Sequence, residues 1–189
     1  MDNKEKILAC ALKLFGSKGY EATGVQEIVK QAGVTKPTLY HYFGSKKGLL
    51  EVLLDRYYQE LVRDISAAAR YEDDLEQSLT KVAKAFFNFA EENKDFYRMQ
   101  LAMVFGPKDG DPVRIIEKVA TAPYLIMQGL FAEALKDNDQ ITDNICMGHA
   151  ITFIGIVHQY IALYLNEITD LSDTKVDFIV KNFLYGIGS

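Results

Sequence analysis

Apolar residues recur at intervals of three and four along most of the chain, and no stretch sustains an alternation of period two. Ile7, Leu8, Ala11, Leu12 and Phe15 mark one side of a first helix, which Gly16 and Gly19 are expected to end. Thr23 begins a short second helix with Gln26 three residues on, a spacing that lets side chains and backbone cap one another. Ile28, Val29 and Ala32 form its apolar side, and Gly33 closes it. Thr35 caps a third helix, where Pro37 is tolerated because first-turn N–H groups lack intrahelical partners. Ser45 caps a fourth, with Leu49, Leu50, Val52, Leu53 and Leu54 inward and an end near Ala69.

Longer helices follow. Leu75, Leu79, Val82, Phe86 and Phe89 share a face; Phe96, Met99, Leu101, Met103 and Val104 mark a shorter helix closed by Gly106-Pro107. Lys108-Asp109-Gly110-Asp111-Pro112 reads as a loop, and a helix kinked at Pro123 is expected over 113–136. The last two helices are expected over 141–167 and 173–187. The pattern predicts an all-α protein.

Composition narrows the class. With 189 residues, 49% of them hydrophobic, the chain has material for a sizeable core and is too apolar to be disordered. Two cysteines, Cys10 and Cys146, build no disulfide framework and suit a reducing compartment. The net charge of −5 hides an asymmetry: residues 1–48 hold eight Lys against four acids, net +4, so the remainder is net −9. A basic head on an acidic body points to a head that meets a polyanion. Ile7-Leu8-Ala9-Cys10 has the look of a lipoprotein cleavage box but lacks the apolar stretch that must precede one. The uncharged run 144–166 is long enough to span a bilayer, yet it holds His149, Thr152, His158 and Gln159, and reads as a buried helix. A cytoplasmic protein with no membrane contact is expected.

Residues 23–43 then form helix, glycine turn, helix, the frame that lays a second helix in the DNA major groove. At 100° per residue, Leu39 and Phe43 of that helix face inward. Pro37, Thr38 and His41 lie opposite, flanked by Tyr40 and Tyr42, with Lys36 projecting from the first turn. A cation, a hydroxyl and aromatic tips on one face can all reach phosphates or base edges.

The run Ala32-Gly33-Val34-Thr35-Lys36-Pro37-Thr38-Leu39-Tyr40-His41-Tyr42-Phe43, then Ser45-Lys46-Lys47 and Leu49-Leu50, closely resembles the DNA-binding domain of the TetR family of bacterial regulators. Gly16, Gly19-Tyr20, Thr23, Val25 and Ile28 extend the resemblance over about residues 4–55. It implies that Thr35, Lys36, Pro37, Thr38, Tyr40, His41 and Tyr42 meet an operator, and that Lys46 binds phosphate at a helix N-terminus. It also implies that Thr23 and Gln26 begin the helix that crosses the DNA backbone. Gly24 stands where a hydroxyl residue is frequent, and Pro37 where a glycine is common, which alters the operator rather than DNA binding itself.

Beyond the head, Phe86, Phe89, Phe96, Met99, Met103, Tyr124, Met127, Phe131, His149 and Phe153 are expected to line an effector pocket, with Gln128, His158 and Tyr160 as further polar anchors and Tyr164 as a further wall. Cys146 and His149 share a helix face but lack a third ligand, and Asp109 and Asp111 are a calcium-loop fragment without its glutamate, so no metal or cofactor is expected. The chain has no nucleophile elbow, P-loop or dinucleotide fingerprint, and is read as a non-enzyme. The expectation is a helix-turn-helix domain over 1–48, a connecting helix 45–69, and a helical effector-binding and dimerisation domain over 49–189. Residues 141–167 and 173–187 would form the homodimer contact, because a helix apolar on all sides must be covered on all sides. Such a protein would repress from a palindromic operator and be released by a small apolar or amphipathic effector. The alternative is a helical small-molecule-binding or enzymatic dimer that has lost operator binding.

Overall fold

The computed structural model describes residues 1–104 and 110–186. Among these every regular element is a helix: α1 (Asn3–Lys18), α2 (Val25–Ala32), α3 (Lys36–Phe43), α4 (Lys46–Ala68), α5 (Leu75–Glu92), α6 (Lys94–Val104), α7 (Asp111–Ala120), α8 (Ala122–Ala134), α9 (Asp143–Leu165) and α10 (Asp173–Tyr185). The backbone divides into two compact units, Met1–Gln59 with Asn93–Val119, and Glu60–Glu92 with Ala120–Ser189. The single cut expected after residue 48 is therefore not how the chain partitions. The first half of α4, and α6 and α7 from the middle of the sequence, join the N-terminal helices.

In the first unit α1 packs on α2, α3 and α6, and α2 packs on α3. Ile7, Leu8, Ala11, Leu14 and Phe15 are buried along α1, with Leu14 taking the inward place expected of Leu12. Gly16 does not end α1. It lies within the helix, where a Cβ would stand 2.8 Å from the Asp95 carbonyl oxygen, so the glycine permits close approach of α6. Tyr57 stacks on Phe96 at 4.6 Å between centroids and Tyr58 meets the same ring edge-on. The inward face of α6 is Phe96, Tyr97, Met99, Gln100 and Met103, while Val104, expected inside, is exposed.

The second unit packs α8 on α9, α5 on α9 and α10, and α10 on α9. Its core includes Phe86, Phe89, Met127, Phe131, Phe153 and Val157. The kinked helix expected over 113–136 is two helices, α7 and α8, parted at Thr121. Pro123 lies in the first turn of α8, where its missing N–H costs nothing; in the middle of one continuous helix it would remove a hydrogen bond. Thr142 caps α9 by accepting from the Ile145 N–H. That helix is long and apolar enough to cross a membrane, but only 33% of its apolar window is buried within the subunit. Ile145 and Ile151 on α9, Leu125 on α8 and Phe178 on α10 are exposed. The expected coverage of α9 on all sides is thus absent from the subunit itself. The Gly106-Pro107 closure, Asp109 and Ile187 lie outside the described residues.

Candidate nucleic-acid interface

The candidate reading face is built by α2, α3 and the turn between them. Gly33 closes α2 in the left-handed region at φ 65°, and its N–H reaches back to the Lys30 and Val29 carbonyls. Thr35 occupies the N-cap position of α3 in extended conformation, but its hydroxyl caps no backbone N–H and instead shares a 2.9 Å hydrogen bond with that of Thr38. Leu39 and Phe43 are buried at 0% and 7% exposure, so they anchor α3. Lys36, Pro37, Tyr40, His41 and Tyr42 are all exposed and Thr38 is half-buried, the division that 100° spacing requires. His41 and Tyr42 meet edge-on at 5.3 Å between ring centroids.

Thr23 departs from expectation. It is 1% exposed, and its hydroxyl donates to the Gly19 carbonyl at 2.8 Å. Gly24, not Thr23, is the N-cap of α2, and no side chain caps that helix. The Thr23–Gln26 capping box does not form, because the threonine hydroxyl satisfies the end of α1 instead. Thr23 is therefore a brace inside the head rather than a surface contact, whereas Gln26 is exposed in the first turn of α2.

At the start of α4, Ser45 accepts from the Gly48 N–H at 2.9 Å and thereby caps the helix. The Lys46 ammonium lies 4.0 Å from the centroid of the Tyr20 ring, and its burial lowers the lysine pKa. Burial, helped by Asp111, Glu21 and Glu51, pushes the Tyr20 phenol up to about 12, so the ring beneath Lys46 stays neutral. Lys47 pairs with Asp111 at 3.1 Å. Sequence reading named Lys46 but missed Tyr20 and Asp111 as the groups that hold this corner. The Gly19-Tyr20 pair was visible, but its role depends on a contact across the fold.

The ten expected effector residues fall into two groups. Phe96, Met99 and Met103 belong to α6 in the first unit. Phe86, Phe89, Tyr124, Met127, Phe131, His149 and Phe153 belong to the second, where all but Tyr124 and His149 are fully buried. His149 sits 5.5 Å from Phe131 and 6.4 Å from Phe183, beside a depression of about 440 Å³ that Thr152 and Asn182 also line. His158 is enclosed against Phe86, edge to face at 5.5 Å. Burial pushes the Cys146 thiol up, away from the thiolate a metal would need. Asp111 begins a helix rather than standing in a loop.

Residues 7–53 match the sequence profile of the family described as bacterial regulatory proteins, tetR family. The transcriptional activator FasR of Mycolicibacterium smegmatis is 37% identical over 98 residues, which cover 52% of this chain and 45% of FasR. The chain matches less than half the length of FasR and of two Bacillus subtilis regulators, YuxN and YxaF. The fold continues further. The stearoyl-CoA complex of the transcriptional regulator FadR from Bacillus subtilis superposes with a TM-score of 0.81 at 17% identity, over 97% of this chain and 98% of that one. PfmR, a TetR-family regulator of Thermus thermophilus, gives 0.76 at 21% identity over 97% and 99%. An exposed helix on two buried anchors, a capped lysine-bearing helix beside it and a profile match over the same residues agree: residues 7–53 are similar to the N-terminal domain of the tetR family of bacterial regulatory proteins.

Proposed function

We propose that the protein is a homodimeric, ligand-responsive transcriptional repressor whose α3 helices read the two halves of a palindromic operator. The observation that carries this reading is α3 itself. Lys36, Pro37, Tyr40, His41 and Tyr42 face outward together while Leu39 and Phe43 hold the helix from below. A packing role gives no reason to expose two tyrosines and a histidine side by side. Lys46 adds a phosphate contact at the capped N-terminus of α4, where the helix dipole also favours an anion.

Lys46→Ala is expected to weaken binding to specific and scrambled duplexes alike and to reduce the salt dependence of binding by about one unit, the signature of one lost phosphate contact. Titrations between low and moderate salt by mobility shift check this. An unchanged slope would remove Lys46 from the interface. A reporter under the protein's own promoter region tests the direction of control: repression predicts higher expression when the gene is deleted. Lower expression on deletion would favour activation, the role named for FasR.

The exposed apolar residues of the second unit support the dimer. Ile151 is 55% exposed and Phe178 57% exposed, on the helices expected to form the contact. A two-fold pair brings two reading heads to one duplex, and the two halves of a palindrome ask for them about one DNA turn, roughly 34–36 Å, apart or somewhat more. Ile151→Glu is expected to give a folded monomer with operator binding largely lost, because the substituted side chain is exposed in the subunit and would be buried in the pair. Sedimentation at micromolar concentration checks it; a variant that stays dimeric places the contact elsewhere.

The effector is proposed to be a fatty acyl compound held in the second unit, against Phe86, Met127, Phe131 and Phe153 with His149 as a polar anchor. The apolar character of these residues supports it, as does the stearoyl-CoA in the FadR structure. It would lower DNA affinity only by binding better to a conformation whose heads are misplaced for the operator.

A further inference from the structure

The first unit contains a cavity of about 310 Å³. Phe15 and Tyr20 form one side, Met99, Ala102 and Met103 of α6 a second, and Pro112 with Val113 of α7 a third. The described walls are mostly apolar and favour an apolar occupant. The cavity's volume is twice the roughly 150 Å³ that holds benzene in an engineered apolar cavity. A bicyclic ring is therefore of the right size, and a long acyl chain is too large. Among the described residues, the charged side chains at the cavity are Lys18 and Glu21. The Lys18 ammonium there is already engaged by Glu27, and Glu21 is an exposed carboxylate that would repel an anion.

The cavity wall also holds both lysines at the start of α4. Tyr20, a wall residue, carries the Lys46 ammonium on its ring. Asp111, between the wall residues Gly110 and Pro112, carries Lys47. A ligand that displaces Tyr20 or the start of α7 must therefore move a cation at the helix end proposed to meet phosphate. We propose that this cavity is a small-molecule site inside the DNA-reading unit, distinct from the effector site of the second unit, which takes a neutral, flat, bicyclic apolar ligand and weakens DNA binding by displacing Lys46 and Lys47. The effect on DNA rests on the operator reading above; occupancy of the cavity does not.

Methionine methyl groups test it directly. Met99 and Met103 line the cavity, while Met127 and Met147 belong to the second unit. With 13C-methyl methionine in the full-length protein and indole as the probe, the Met99 and Met103 signals are expected to shift together and saturate, with Met127 and Met147 unmoved. Ala102→Trp, which places a ring in the cavity from an exposed position, is expected to abolish the shifts; Val113→Phe serves the same purpose should the first variant fold poorly. In mobility shifts, saturating indole is expected to weaken duplex binding at least about five-fold in the unsubstituted protein and not in the filled variant. Absent shifts, shifts confined to Met127 or Met147, or shifts that persist in both filled variants would overturn the site. Saturating Met99 and Met103 shifts with unchanged DNA affinity would overturn the coupling. A protein that binds indole but no DNA at all would fault the operator reading and leave the cavity as a binding site.

Discussion

Gly48→Ala is expected to cripple the reading head, with loss of stability of about 1–3 kcal/mol or more and loss of DNA binding. Gly48 is the third residue of α4, and a Cβ there would stand 2.1 Å from the Phe43 carbonyl oxygen. The obstacle is backbone, so no side chain can rotate away; the turn between α3 and α4 must open. Phe43 is a buried anchor of the reading helix, and the Gly48 N–H is the group that Ser45 caps. One methyl group would therefore disturb the seat of α3 and the start of the helix that carries Lys46. Urea denaturation and duplex titration check the two effects. Gly129→Ala is the control, since nothing lies within 4 Å of a Cβ there and alanine is the better helix former. Equal stability of Gly48→Ala and the unsubstituted protein would show that the turn yields easily.

Stability is expected to fall by about 2–3 kcal/mol between pH 7 and pH 4.5 through His158 alone. The imidazole is completely buried, and that burial lowers its pKa from 6.5 to about 4. A histidine with a depressed native pKa is neutral in the fold and takes up a proton on unfolding throughout this window. The unfolded chain thus binds more protons, so stability is fully present above pH 6.5 and drains away as pH falls toward 4. His158→Leu removes the titration. Whatever its stability at pH 7, its urea midpoint is expected to depend less steeply on pH than that of the unsubstituted protein. Parallel pH profiles would mean that His158 is not the group responsible.

The helix-turn-helix was readable in the sequence because its determinants are local. Gly33, Thr35 at the N-cap position, Pro37 in the first turn and the spacing of Leu39 and Phe43 act within a few residues of one another, and the structure keeps each in its expected place, although the Thr35 hydroxyl bonds Thr38 rather than a backbone N–H. Thr23 shows where that logic stops. A threonine ahead of a helix with a glutamine three residues on satisfies the capping pattern, but the same hydroxyl can reach the end of α1, and burial against Leu14 and Gly19 decides between the two. A long-range partner is invisible to a local pattern. The effector residues show the same limit, since aromatic and methionine positions with one helical period were read as one pocket but are divided between two units.

What the sequence determined by itself was the helical class, the basic head and the outward face of α3, since periodicity, net charge and residue spacing are properties of neighbouring residues. Tertiary structure alone decided the rest. It assigned α6 and α7 to the N-terminal helices and parted α7 from α8 at Thr121. It also put Lys46 on the ring of Tyr20, and made glycine necessary at Gly16 and Gly48. Each of these depends on which surfaces approach one another, and a residue carries no mark of the distant backbone that will stand against it until the chain has folded.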